Sequence, residues 1–152
     1  MSIKGKVKFV SKDRSLFFPT LRKRVDQYFT ENNISRHANS SMIIKSVVLL
    51  STYILAFLFI LFLQPPFWIS LMLWALMGFS LAGIGMSVMH DAIHGAYSTN
   101  KTVNKLMGHS LNLVGGSSMN WKLQHNILHH TYTNVIGRDN DLGYGIMRVD
   151  ED

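Results

Sequence analysis

The sequence contains no cysteine. This absence excludes disulfide bonds, thiolate zinc sites and cysteine-ligated iron–sulfur clusters within the chain. It is compatible with either side of a membrane, so it does not identify a redox compartment. The length of 152 residues corresponds to about one domain.

Charged side chains are absent from residues 46–89, and the segment 64–66 (QPP) is the only interruption of this apolar region. Residues 42–63 and 67–89 are each long enough to span a bilayer as a helix, because the hydrocarbon core is about 30 Å thick. We expect an antiparallel transmembrane hairpin rather than a signal peptide, since a second span follows at once. Small residues predict close contact of the second span with neighbouring helices: Gly78, Ala82, Gly83, Gly85 and Ser87.

Positive charge lies on both sides of this apolar region, while the turn between the two spans has none. By the positive-inside rule, both chain ends are expected in the cytoplasm and the turn on the opposite side. A net charge of +6 could also indicate a nucleic-acid partner. No aromatic and basic RNA-binding motif is present, however, so we expect no nucleic-acid partner.

Two further helices are predicted, one before the hairpin and one after it. Pro19 suits a first helical turn, and apolar residues follow it at helical spacing beside the basic run 22–24. This basic amphipathic helix is expected to lie on an anionic membrane surface or to pack on the protein's own cytoplasmic body. Residues 103–114 also follow helical spacing and end at Gly115. They are too short and too polar to span, so we expect them to lie in the membrane interface.

The predicted architecture is an all-α integral membrane fold. A basic cytoplasmic segment, 1–41, precedes the transmembrane hairpin, 42–89, and a cytoplasmic or interfacial histidine-rich region, 90–152, follows it. Within these regions, residues 1–14 predict a flexible or edge segment and residues 121–134 predict another helix. The C-terminal tail is rich in turn-forming and acidic residues.

Five of the seven histidines form two clusters along the chain. The first cluster is His90 and His94, and the second is His125, His129 and His130. Because residues four apart share one face of a helix, each cluster can direct two imidazoles at one metal ion, and His130 can bind a second metal or complete the first site. The two remaining histidines, His37 and His109, stand alone and are expected to be packed or hydrogen-bonded.

Acidic residues are scarce around these clusters: Asp91 is the only one between Glu31 and Asp139. This excludes a ferritin-like centre with bridging glutamates and a zincin motif. A facial triad that uses Asp91 would leave three clustered histidines unexplained. An imidazole-rich site for one or two metal ions remains, with iron as the candidate for oxygen chemistry. Asp91 is then expected to accept an N–H from His90 and fix its tautomer; the alternative is a surface carboxylate without such a role.

The two histidine clusters lie in the motifs HDAIHG and WKLQHNILHHTYTN, and the chain also contains LRKRVDQYF, RHAN and GRDNDL. By these motifs, the chain resembles the membrane fatty-acid desaturase family. It is most similar to the acyl-lipid and linoleoyl-type branch of bacteria. The resemblance implies a membrane oxidoreductase with a histidine-bound di-iron centre at the cytoplasmic face, in which the five clustered histidines form two histidine boxes. Such an enzyme introduces a cis double bond into the acyl chain of a membrane lipid or acyl-coenzyme A. It uses dioxygen and two electrons from a ferredoxin or a small cytochrome.

The chain departs from the family pattern, which includes a third histidine box after a second pair of spans. We therefore expect an N-terminal portion of a four-span desaturase-like protein of a bacterial inner membrane, inactive without its C-terminal half. There are two alternatives: a related lipid hydroxylase or ketolase, and a non-catalytic membrane metal-binding module. The sequence does not determine acyl-chain length, double-bond position, acyl carrier, electron donor or oligomeric state.

Overall fold

The computed structural model describes residues 16–135, 138, 139 and 141. These residues form helices, turns and loops and include no strand, in agreement with the predicted all-α class. The segment 1–14 and most of the C-terminal tail, for which the sequence predicts flexible and turn-rich chain, lie outside the described residues.

A hairpin of two long helices forms the body of the structure. Helix α2 (Ser40–Leu63) starts after Asn39, whose side chain accepts the Met42 N–H at 2.9 Å and thereby caps the helix. It ends at Gln64, which has a φ angle of 43°, and two prolines then prevent further helix. Helix α3 (Phe67–Gly83) returns antiparallel to α2. The helical hairpin and its tight QPP turn are therefore present as predicted.

The outer surface of this hairpin is apolar and uncovered. Phe62, Trp68 and Phe79 are 73%, 72% and 76% exposed. The two helical stretches, Ser40–Leu63 and Phe67–Ile93, have mean hydropathies of 2.6 and 1.8 and are long enough to cross a membrane. Such large apolar side chains would be costly to expose to water, whereas lipid tails are their natural surroundings. The hairpin therefore indicates a membrane-associated protein.

The second long helix changes its winding before it reaches the first histidine cluster. After α3, the chain forms a π-helical segment, π1 (Ile84–Met89), and then the short helix α4 (His90–Ile93). Ile84, Val88 and Met89 in π1 are almost completely buried. Segments with i→i+5 hydrogen bonds are rare and often lie at functional sites. The apolar run predicts a helix here, but it does not predict this winding.

The loop after α4 is attached to the start of α2. Gly95 ends the helix with a φ angle of 75°. The buried Tyr97 hydroxyl then donates to Ser46 Oγ at 3.0 Å, and the Tyr97 carbonyl accepts the Ala38 N–H at 3.1 Å. These contacts fix the first histidine cluster relative to α2.

The rest of the described chain, after this loop, forms short helical segments. They are α5 (Lys101–Gly108), α6 (Ser110–Leu113), α7 (Ser118–Trp121), a second π-helical segment π2 (Lys122–His129), and α8 (His130–Tyr132). The helix predicted over 103–114 is thus divided into two pieces at His109, and it ends before Gly115, which has a φ angle of 91°. Both histidine clusters adjoin or lie within a π-helical segment.

Helix α1 (Phe17–Glu31) is the predicted N-terminal amphipathic helix. None of its residues is buried, so the described part of the chain leaves its apolar face uncovered. Arg36 connects it to the following loop, because this side chain pairs with Asp26 at 2.5 Å and lies over the Phe29 ring at 5.3 Å.

Candidate metal centre

The five clustered histidines meet in one group of imidazole rings. His125 lies at its centre, with ring centroids of the other four histidines between 5.0 and 5.3 Å away. The His90 and His94 rings are 4.5 Å apart, and the His94 and His130 rings are 4.8 Å apart. Two clusters that are far apart in sequence therefore lie next to each other in the structure.

Three of these rings offer nitrogens close enough for a common metal ion. One ring nitrogen from each of His90, His94 and His125 lies within 4.8 Å of the other two. Two nitrogens bound to one tetrahedral metal ion at about 2.1 Å are about 3.4 Å apart. The rings would therefore move closer together to hold one ion, and their imidazole donors are of the type that suits a borderline metal such as iron.

Packing between the two histidine segments holds the rings together. Asn126 in π2 donates its side-chain N–H to the Ile93 carbonyl at 3.2 Å and thus connects π2 with α4. Trp121 stacks on the His125 ring, with centroids 4.9 Å apart and an interplanar angle of 28°. Ser117 caps α7 by accepting the Asn120 N–H, which fixes the start of this helical stretch.

Three carboxylates each contact the Nδ1 atom of one histidine ring. Both oxygens of Asp139 lie 2.9 Å from His129 Nδ1, and Asp141 Oδ2 lies 2.5 Å from His125 Nδ1. The predicted contact of Asp91 with His90 is also present, with Oδ1 3.2 Å from Nδ1. The sequence-based interpretation did not include Asp139 and Asp141. The GRDNDL motif was the available signal, since it places two acidic residues just after the second cluster in a chain otherwise poor in them.

The surroundings favour a neutral imidazole at His94 and a charged carboxylate at Asp139. Burial lowers the pKa of His94 below its ordinary value, and charge repulsion from the neighbouring histidines lowers it further, while Asp91 raises it. Burial raises the pKa of Asp139, but hydrogen bonds from His129 and from two backbone N–H groups outweigh burial, so this pKa lies below its ordinary value. Neutral imidazole is the form that binds metal ions.

The two isolated histidines lie outside this group of rings. His37 Nδ1 donates to the Ala96 carbonyl at 3.1 Å, next to the loop that follows His94. His109 Nδ1 lies 3.2 Å from the Ser118 hydroxyl. Both side chains are hydrogen-bonded, as expected for histidines with a structural role.

The fold and the site together define a helical membrane protein that gathers imidazoles at the end of an apolar hairpin. Residues 66–149, more than half of the chain, match the family model described as Fatty acid desaturase. The chain therefore belongs to the fatty acid desaturase family.

Curated relatives agree with this assignment. The chain is 37% identical over 145 residues to the sn-1 linoleoyl-lipid 6-desaturase of Synechocystis, a match that covers 95% of the chain and 40% of the relative. It is 37% identical over 123 residues to the enzyme of the same name from Arthrospira platensis, covering 81% of the chain and 33% of the relative. It is 34% identical over 139 residues to the acyl-lipid (8-3)-desaturase of Physcomitrium patens, covering 91% and 29%. The chain thus spans well under half the length of these relatives. No solved structure matches it significantly.

Proposed function

We propose that this chain carries part of the iron centre of an acyl-lipid desaturase, a membrane oxidoreductase that introduces a cis double bond into an acyl chain. The observation that carries the proposal is the meeting of five imidazoles at the end of a charge-free hairpin, in a member of the fatty acid desaturase family. Such a site is rich in imidazole and poor in carboxylate ligands. It therefore differs from a ferritin-like centre with bridging glutamates, which the sequence excludes.

The ligands in this proposal are the five clustered histidines: His90, His94, His125, His129 and His130. Iron held there would supply the dioxygen activation needed to oxidise an unactivated acyl chain. The chain's own contribution is to hold His94 neutral, to orient the imidazoles and to limit access of water. Two iron ions need more ligands than five imidazoles provide, so the proposal includes further ligands from protein outside these 152 residues.

A membrane lipid is the proposed substrate. The rings lie where the helical stretch Phe67–Ile93 ends, so an acyl chain in the adjacent lipid could reach the site without crossing water. The printed names of the relatives refer to lipid-linked acyl groups, which favours a membrane lipid over acyl-coenzyme A. The proposed electron donor is a ferredoxin or a small cytochrome.

The proposed topology places both chain ends and the helices outside the hairpin in the cytoplasm of a bacterium, with the hairpin forming two of four spans in its inner membrane. The chain offers a direct test because it has no cysteine. We expect Gln64→Cys to react with a membrane-impermeant maleimide in intact cells, and Thr99→Cys to react only after permeabilisation. Both positions are exposed. Labelling in the reverse order would contradict the topology.

The activity is tested by lipid analysis after expression in a host that lacks polyunsaturated lipids. The chain is expressed alone and joined to the part of the Synechocystis relative that lies outside the match. We expect a new cis double bond in lipid-linked acyl chains only from the joined protein, detected by gas chromatography and mass spectrometry. A hydroxylated product without a new double bond would overturn the desaturase proposal. A joined protein that binds iron but forms no product would favour a metal-binding module.

A further inference from the structure

We propose that Asp139 and Asp141 are positioning residues that present His129 and His125 to the metal through Nε2. This inference rests on the proposed function, because it assigns a role in building the same metal site. It concerns residues that lie outside both histidine clusters and that are not among the proposed metal ligands.

The geometry determines which ring nitrogen is available. A neutral imidazole has one N–H and one lone pair, so a carboxylate that accepts the proton of Nδ1 leaves the lone pair on Nε2. Asp139 places both oxygens 2.9 Å from His129 Nδ1, and Asp141 places one oxygen 2.5 Å from His125 Nδ1. Each carboxylate therefore selects the Nδ1–H tautomer of its histidine.

Asp139 is itself held in place. It has no exposed surface, and its carboxylate accepts the Asn134 N–H at 3.0 Å and the Asp141 N–H at 3.2 Å. A buried carboxylate with several hydrogen bonds cannot rotate freely, so it fixes the plane of the His129 ring as well as its tautomer. The Asp141 backbone is tied to Asp139 by the same set of bonds.

The first histidine cluster shows the same arrangement. Asp91 Oδ1 lies 3.2 Å from His90 Nδ1, so three of the five rings have a carboxylate at Nδ1. Within the described residues, the group whose ligand atoms lie close enough for one ion consists of histidines only. The carboxylates therefore contact the ligand rings but are not part of the group of metal-binding atoms. Partners that orient metal-bound histidines usually occupy such positions.

The first test reads the tautomers without any metal. In metal-free protein in detergent, nitrogen NMR of the imidazoles is expected to show the Nδ1–H tautomer for His125 and His129. Asp141→Asn should change the tautomer distribution of His125, and Asp139→Asn that of His129. The control is Asp26→Asn, which removes an exposed carboxylate paired with Arg36 and should leave both signals unchanged. Wild-type protein with Nε2–H signals at both histidines would overturn the inference.

The second test measures metal affinity by anaerobic titration with Fe(II), using the same variants in the joined protein, which supplies the further ligands. We expect Asp139→Asn and Asp141→Asn to weaken binding about ten- to hundredfold, the usual cost of losing such a partner. In the double variant Asp139→Asn/His129→Ala, the loss should not exceed that of His129→Ala alone, because the carboxylate acts through this ring. Asp139→Glu should restore part of the affinity.

The two proposals fail in different ways. If the aspartate variants bind Fe(II) as tightly as the wild type while His129→Ala binds more weakly, the positioning role is wrong and the histidine site stands. If the histidine variants also bind as tightly as the wild type, the proposed iron site itself is wrong. Asp141→Asn keeps the inference testable if Asp139→Asn fails to fold, since the Asp141 side chain is 25% exposed.

Discussion

We expect replacement of His125 or His129 with alanine to abolish the proposed turnover of the joined protein and to leave membrane insertion intact. His125 lies at the centre of the five rings, within 5.3 Å of each of the others, so its loss removes a proposed ligand that no neighbour can replace without moving. Insertion depends on the apolar hairpin, which neither substitution changes. The measurement is conversion of lipid-linked acyl chains by membranes that contain equal amounts of each variant.

The matched control is His109→Ala. His109 is also a histidine of the region after the hairpin, but its ring contacts Ser118 and lies outside the cluster. We expect its activity to stay within a few-fold of the wild type, since one exposed hydrogen bond contributes at most about 0.5–1.5 kcal/mol. Near wild-type turnover by the His125 or His129 variant would contradict the ligand assignment.

Gly83→Leu destabilises the hairpin by about 1–3 kcal/mol, the usual range for overpacking. Gly83 lies against Leu49 of α2, and a Cβ atom at this position would be 2.8 Å from Leu49 Cδ1. A leucine must therefore displace Leu49 or separate the helices. Resistance of the purified protein to unfolding by a denaturing detergent, followed by circular dichroism, measures this effect.

Two glycines of the same helical stretch provide controls. A Cβ atom at Gly78 or Gly85 would have no neighbour within 4 Å among the described residues, although the sequence groups them with Gly83 as small residues for helix contact. Gly78→Leu and Gly85→Leu are expected to leave the stability of the hairpin nearly unchanged. If they destabilise it as much as Gly83→Leu does, the contact with Leu49 is not the cause.

The hairpin could be predicted from sequence because it depends on a property that is local in the chain. Residues 46–89 lack charge, and the prolines at 65 and 66 leave only one place for the turn. The π-helical winding could not be predicted, since four-residue histidine spacing is compatible with α and π segments alike. Burial of Ile84, Val88 and Met89 against the rest of the fold accompanies that winding, and this packing is not visible in the local pattern.

The histidine site could be predicted in part for a similar reason. Spacing along a helix identifies which imidazoles share a face within each cluster, but it does not show that the two clusters meet. The partners of His125 and His129 lie 16 and 10 residues further along, after the helices end at Tyr132. No periodic pattern relates positions across an irregular segment, so the roles of Asp139 and Asp141 required the three-dimensional structure.

The central claim is that the clustered histidines hold iron, and the most direct test is the iron content of the purified joined protein, which supplies the further ligands, after anaerobic loading with ⁵⁷Fe(II). Mössbauer spectra of the same samples report whether the iron has nitrogen ligands. We expect the wild type and His109→Ala to retain iron with such a spectrum, and His94→Ala to lose it, because the His94 ring lies 4.5 Å from that of His90 and 4.8 Å from that of His130. Equal iron retention by the wild type and His94→Ala, or no retained iron in the wild type, would contradict the account.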